Sequence, residues 1–277
     1  MSAIAELAEN RIVEGTYAVS RKERRRTKAG SDYLALELVD PSGRIEARVW
    51  NDVELLDSRF GEGDAVRVLG RVDKFRDRLQ LEVRTLEHAE GQDAAALTPA
   101  MRRDADELDG FLEFLGGELS HHGLRTLVGR FLGDEAYRTR LRELPASPEN
   151  HHDYAGGLLE HTVAVATLCR ETAQVHPRLR SDLLVAAALL HDAGRTLELG
   201  RAPSFRPSDE GRLLGHVQLG IRLIEFKAGD LEPAALAEVI HAVAVHHDPR
   251  ATRTAEAAVL YHANQLDAVA ATRPVPD

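Results

Sequence analysis

Between Arg11 and Glu90, apolar residues alternate with polar ones in four short stretches: Leu34, Leu36 and Leu38; Ile45, Ala47 and Val49; Val66, Val68 and Val72; and Leu79, Leu81 and Val83. A period of two sends one face of each stretch into a core and the other into solvent, which predicts half-buried strands. Val13 to Ser20 adds a fifth strand. The turn residues agree. Asp40-Pro41-Ser42-Gly43 is a tight-turn tetrapeptide, and Gly61-Glu62-Gly63-Asp64 punctuates the next junction. Asn51 to Phe60 predicts a short helix between the third and fourth strands. Five strands with a helix after the third is the order of a small OB-type barrel, whose second and third strands and adjoining loops commonly bind oligonucleotides.

Beyond Met101 the period changes. Leu108, Phe111, Leu112 and Leu115, then Leu124, Leu127, Val128, Phe131 and Leu132, recur at three and four, so this part is helical. Leu183 to Leu190 is continuously apolar, which predicts a buried helix with Gly194 placed to end it. The small, polar Gly91 to Ala96 reads as part of a linker. The expected organisation is a multidomain α and β chain: an N-terminal five-stranded OB-type β-barrel that binds nucleic acid (1–90), a linker (91–100) and an all-α domain (101–277). His121 and His122, beside Gly123, read as interhelical loop.

Composition narrows the classes. With 43% hydrophobic and 29% charged residues the chain is globular rather than disordered. Its only cysteine, Cys169, excludes an internal disulfide, a zinc ribbon or an iron–sulfur site, and points to a reducing, cytoplasmic setting. The longest apolar run, Leu183 to Leu190, is too short for a bilayer, so no membrane partner is expected. A net charge of −10 argues against nucleic-acid binding over the whole surface. The local picture differs, because Arg21, Lys22, Arg24, Arg25, Arg26 and Lys28 surround the single Glu23. Tyr33, Arg44, Arg48 and Trp50 fall out of phase with the barrel core and point outward. Aromatic faces for bases and cations for phosphates are what a single-strand binder needs. The bland alternatives are that Trp50 plugs the barrel end and that the basic run is a solvated hairpin tip. Composition does not separate RNA from DNA.

Histidines segregate to the helical part, with ten of the 13 between His151 and His262. His161 shares a helical stripe with Leu158, Val165 and Leu168; His216 shares a face with Leu213 and Leu223; His247 lies four residues after Val243 and seven after Ile240. Each buried ring nitrogen needs a partner, and a shared metal would supply one to all. The doublet His191-Asp192 follows the buried apolar helix, where both the helix dipole and burial disfavour an unpaired carboxylate. Two partners are open to Asp192: Arg195 alone, or a divalent metal held with His191.

The strings HHDYAGGLLEHT (His151 to Thr162), LLHDAGRT (Leu189 to Thr196), DEGRLLGH (Asp209 to His216) and HHD (His246 to Asp248) resemble the HD-domain phosphohydrolase superfamily. Behind an OB-type barrel they resemble, more narrowly, the OB-plus-HD 3′-to-5′ exoribonuclease family of the YhaM type. The resemblance covers nearly the whole chain. It implies that residues 101–277 form a helical HD domain acting as a metal-dependent phosphohydrolase. Its preferred ion would be Mn²⁺, with iron, cobalt and magnesium as alternatives, bound as one or two ions. His161, His191 and Asp192 would hold one ion, and Asp192 would bridge to a second held by His216, His246 and His247. Asn264 stands where the family usually has the last ligand, an aspartate, and a neutral amide oxygen is the weaker ligand for a hard cation. Asp192 and Arg195 would carry the catalysis, Arg195 replacing a frequent lysine beside the scissile phosphate, with Arg212 as a further clamp. The implied reaction is 3′-to-5′ hydrolysis of single-stranded RNA, with single-stranded DNA as the other candidate, to nucleoside 5′-monophosphates. A homo-oligomer is compatible with the sequence. Two rival functions remain: a phosphohydrolase of small nucleotides, and a nucleic-acid-binding protein whose metal site has weakened.

Overall fold

The structure of the protein, a computed structural model, describes residues 2–148 and 150–272; the end of the expected helical domain, 273–277, lies outside the described residues. The chain divides into two compact units, Met1–Ala100 with Arg201–Phe205, and Met101–Gly200 with Arg206–Asp277.

In the first unit β1 (Ile12–Arg26), β2 (Asp32–Asp40), β3 (Gly43–Val49), β4 (Ala65–Phe75) and β5 (Arg78–His88) close a barrel in the order β1-β2-β3-β5-β4. β3 runs parallel to β5 and the other neighbours are antiparallel. A short helix, α1 (Val53–Asp57), connects β3 to β4. The alternating residues fill one core: Leu34, Leu36, Leu38, Ile45, Ala47, Val49, Val66, Val68, Val72, Leu81 and Val83 are all buried. Leu79 departs from its period and is 37% exposed. It pairs with Lys74 near the tip of the β4–β5 hairpin, where the strands run past the barrel core. β1 is longer than its apolar pattern predicts, because a bulge between Val19 and Arg21 shifts the register and the strand continues through the basic run to Arg26. The segment expected to be a free linker instead lies on the barrel. Ala94 is buried against Ala18, Val39 and Ala65, and Ala95–Leu97 forms a 3-10 turn.

The second unit is helical: α2 (Ala105–Gly117), α3 (His122–Leu132), α4 (Glu135–Glu143), α5 (Gly157–Val175), α6 (Ser181–Leu190), α7 (Arg195–Glu198), α8 (Asp209–Ala228), α9 (Pro233–Ala244) and α10 (Ala255–Thr272). Every residue of α6 from Leu183 to Leu190 is buried, and a helix apolar all round must be central. It packs among α3, α5, α9 and α10. His121 caps α3, its Nδ1 accepting the Leu124 N–H at 3.2 Å. Among the described residues no helix is long and apolar enough to cross a membrane.

Three expectations about the histidine-bearing segments change. α6 ends at Leu190, and Gly194 is right-handed (φ −67°, ψ −17°) rather than a left-handed cap. Its lack of a side chain serves close approach, since a Cβ there would overlap the main-chain oxygen of His216 and nitrogen of Gly220. Gly215 is non-helical (φ 69°, ψ 163°) and breaks α8, so His216 does not share a stripe with Leu213, which is 75% exposed. α9 ends at Ala244, which puts His246 and His247 in the following turn: His246 is fully buried, and His247 is exposed instead of lying on a buried stripe. Replacing Gly194 by Ala should destabilise the protein by about 2 kcal/mol through overpacking against fixed backbone. That corresponds to a fall of roughly 4–8 °C in thermal unfolding midpoint; an unchanged midpoint would refute this role for Gly194.

Candidate metal centre and nucleic-acid interface

Six side chains from four places in the helical unit converge. His161 comes from α5, His191 and Asp192 from the turn after α6, His216 from the kink of α8, and His246 and His247 from the turn after α9. His161, His191 and His246 are fully buried and Asp192 is 5% exposed, while His216 and His247 lie nearer solvent. The two oxygens of Asp192 face different partners. Its Oδ2 lies 3.9 Å from Nε2 of His161 and 3.8 Å from Nε2 of His191. Its Oδ1 lies 3.4 Å from Nε2 of His216 and 3.6 Å from Nε2 of His246. Two overlapping groups with metal-ligand spacing result, sharing Asp192: His161, His191 and Asp192; and Asp192, His216, His246 and His247.

The far side of each buried imidazole decides what the near side offers. Nδ1 of His191 donates to the carbonyl of Ala188 at 2.7 Å, and Nδ1 of His246 to that of Val243 at 2.6 Å. Nδ1 of His161 donates to Oδ2 of Asp267 at 2.6 Å. In a neutral ring the remaining Nε2 then carries only a lone pair. Nε2 of His161 faces Nε2 of His191 at 3.2 Å, and Nε2 of His216 faces Nε2 of His247 at 3.0 Å. Nε2 of His246 and Oδ1 of Asp192 are buried without any hydrogen-bond partner. A cluster of acceptors facing one another fits a divalent cation, and imidazole plus carboxylate is a donor set for manganese, iron or zinc.

Electrostatics point the same way. Burial would push the Asp192 carboxyl up, but Arg195, His191 and His216 hold it well below the usual carboxylate range. Burial pushes His191 down to about 3 and His151 down to about 4, which keeps those rings neutral and able to ligate.

Asn264 is 2% exposed on α10, and its amide donates to the carbonyl of His246 at 3.3 Å. Asp267, one turn on, accepts from both His161 and Nε2 of His152, the latter at 2.9 Å. His152 is tied through Tyr154 to Glu160, each link being 2.8 Å. Sequence reading passed over this chain, and also over His151, whose buried Nε2 has no partner and whose ring lies 4.9 Å from that of His161. The signal was available in the paired histidines and tyrosine of HHDYAGG. Arg195 places Nε 3.7 Å from Oδ1 of Asp192. Arg212 is turned to solvent and pairs with Asp209 at 3.4 Å, away from a clamping role.

On the barrel, Tyr33 and Trp50 stack at 4.7 Å with 30° between their planes, and the Arg48 guanidinium sits 5.9 Å from the Tyr33 ring. Trp50 is 44% exposed and does not plug the barrel. These residues line a groove of about 580 Å³ together with Arg25. Its other wall is the β4–β5 hairpin, with Phe75, Arg76 and Arg78, which sequence reading missed because they lie beyond the alternating core pattern. The basic run is partly offset. Glu23 pairs with Arg21 at 2.7 Å and Arg25 at 2.6 Å, and Asp32 pairs with Arg24 at 2.6 Å and Arg26 at 3.0 Å. Lys22 turns inward, its ammonium bonded to the carbonyls of Asp57 and Phe60 at 2.6 Å, so it braces the end of α1 and is not presented to a phosphate. Lys28 is exposed in the β1–β2 turn, and Arg44 lies 3.7 Å from Glu37.

Comparison with known proteins places these two sites in families. Residues 158–269 match the HD domain, and residues 18–89 match the OB-fold nucleic acid binding domain. The 3′-5′ exoribonuclease YhaM of Oceanobacillus iheyensis is 27% identical over 266 residues, covering 92% of this chain and 83% of that protein. The 3′-5′ exoribonuclease YhaM of a Geobacillus species is 29% identical over 252 residues, covering 86% and 76% respectively. The second OB-fold domain of replication protein A from Methanococcus maripaludis, a solved structure, is 26% identical over 33% of this chain and 96% of that one, with a TM-score of 0.27. With a match to an OB fold in front and to an HD domain behind, the chain is a hydrolase, similar along most of its length to 3′-5′ exoribonucleases named YhaM.

Proposed function

We propose that the protein is a metal-dependent 3′-to-5′ exoribonuclease acting on single-stranded RNA and releasing nucleoside 5′-monophosphates, with Mn²⁺ as its ion and the cytoplasm as its setting. The observation that carries the reading is the cluster of Nε2 lone pairs around the two oxygens of the Asp192 carboxylate. His161, His191, Asp192, His216, His246 and His247 would hold the metal, with Asn264 buttressing His246 through its main-chain oxygen. A divalent ion bound there supplies an activated water and neutralises charge on the phosphoryl oxygens.

The chain's own residues do the rest. Asp192 spans both ligand groups and fixes their separation. Arg195, beside it, keeps guanidinium N–H groups available to orient a phosphate. On the barrel, Tyr33, Trp50 and Phe75 offer faces to unpaired bases, and Arg48, Arg76 and Arg78 offer charge to the backbone. A groove of exposed aromatics suits a polymer and has no use in an enzyme for mononucleotides. Asp267 holds His161 with its Nδ1 proton inward, which leaves Nε2 for the metal.

With 5′-labelled single-stranded RNA and Mn²⁺, the wild type should give a ladder shortening from the 3′ end. Asp192→Asn should lower the rate by at least about a hundredfold, more than loss of an outer ligand contact costs. Internal cleavage, or an undiminished mutant, would refute the reading. Trp50→Ala should raise KM for a long RNA by roughly tenfold while leaving hydrolysis of a dinucleotide unchanged. An equal effect on both substrates would remove the groove from RNA binding.

The neutral imidazoles also set a pH dependence. His191 and His151 have folded pKa values of about 3 and about 4, below the 6.5 that an exposed histidine shows. As pH falls below that value the unfolded chain takes up protons that the folded protein refuses. Their stabilisation is therefore complete above it and is lost progressively toward the folded values. In a chelator, the unfolding midpoint should fall from about pH 7 to about pH 5; a flat profile would contradict the burial of neutral rings.

A further inference from the structure

Asp192 is buried and the oppositely charged Arg195 side chain is 14% exposed with its Nε enclosed, yet that Nε stops 3.7 Å from Oδ1 of Asp192, and neither atom makes a hydrogen bond. Two such groups ordinarily close into a pair, because each is costly to bury alone. The restraint is Glu198. The single turn of α7 places it three residues after Arg195, with its side chain 11% exposed. Its Oε2 accepts from Nη1 of Arg195 at 2.8 Å, and its Oε1 accepts the main-chain N–H of His216 at 3.2 Å. That N–H is available because Gly215 interrupts the helical ladder just before it. Nδ1 of His216 lies 3.6 Å from Oε2 of the same carboxylate.

The backbone around Glu198 cannot drift. Its carbonyl accepts the N–H of Ser208, the cap of α8, at 2.8 Å. A Cβ at Gly211 would overlap that carbonyl, and a Cβ at Gly194 would overlap the carbonyl of His216. The carboxylate is thus fixed between the guanidinium and the kinked helix.

We propose that Glu198 is a positioning residue that holds the Arg195 guanidinium off Asp192, leaving the Asp192 carboxylate to a divalent cation and the other guanidinium N–H groups to a phosphate. The inference rests on the metal-site reading above. Without the Glu198 acceptor, Arg195 turns onto Oδ1 of Asp192 and competes with the cation for the same oxygen.

Glu198→Gln isolates this role, because an amide oxygen still accepts the His216 N–H while the amide nitrogen cannot accept from Arg195. The test is calorimetric titration with Mn²⁺ of the wild type, Glu198→Gln, Arg195→Ala and the double variant, each checked for a cooperative unfolding transition. Glu198→Gln should weaken Mn²⁺ binding by about tenfold or more when Arg195 is present. In the Arg195→Ala background the same change should cost less than about twofold. Glu198→Asp, which keeps the charge but withdraws it by one methylene, should likewise lose affinity only while Arg195 is present. Equal weakening in both backgrounds, or none in either, overturns the proposal. A wild type that takes up no Mn²⁺ overturns the metal-site reading itself.

Discussion

An imidazole whose Nδ1 proton is spent on a protein acceptor has only a lone pair left to offer, and the helical unit is organised around three of these. His161, His191 and His246 are fully buried with Nδ1 committed to Asp267, Ala188 and Val243. Their Nε2 atoms meet one another and a carboxylate that is itself only an acceptor. Among protein groups alone these facing lone pairs repel, and rigid packing is needed to maintain the arrangement. The central α6 supplies that rigidity, and the glycine contacts between Gly194 and the His216 region bring the fourth imidazole to the same carboxylate. A divalent cation held by these residues would convert mutual repulsion into coordination.

The barrel solves a different problem. Under the proposed function, a polymer would have to be gripped by a chain of net charge −10. Raw cationic charge is reduced here, since Glu23 and Asp32 offset part of the basic run and Lys22 is structural. Stacking surfaces carry more of the burden. Trp50 on one wall and Phe75 on the other are large rings kept exposed, Tyr33 is half-buried and stacked on Trp50, and Arg48 and Arg76 lie close to the aromatic faces. Every base has a π-face, so such a groove tolerates any sequence.

Much of this was legible in the sequence. Leu34, Leu36 and Leu38 revealed the barrel because alternation is a local property, and the helix after the third strand completed the topology. The doublet His191-Asp192 was conspicuous because a charged pair follows an apolar helix. What failed depended on irregular backbone. Helical phase put His216 with Leu213, but Gly215 breaks the helix between them. The same reasoning put His247 on a buried stripe, but α9 ends before it. Asp267 stood out only as the acid one turn beyond Asn264; its orienting role, like that of Glu198, stayed invisible because it lies in contacts with His161 and His216, distant in the chain, and no local pattern marks a carboxylate that orients a histidine. Likewise the inward turn of Lys22 depends on α1, which sequence alone does not bring to its side.

Diffraction data collected at the manganese absorption edge, from crystals of the full chain grown with Mn²⁺, test the central claim most directly. The account predicts an anomalous peak within bonding distance of Asp192 and the Nε2 atoms of His161 and His191, of His216, His246 and His247, or one at each position. Imidazoles turned away from Asp192, with no peak between them, would contradict it.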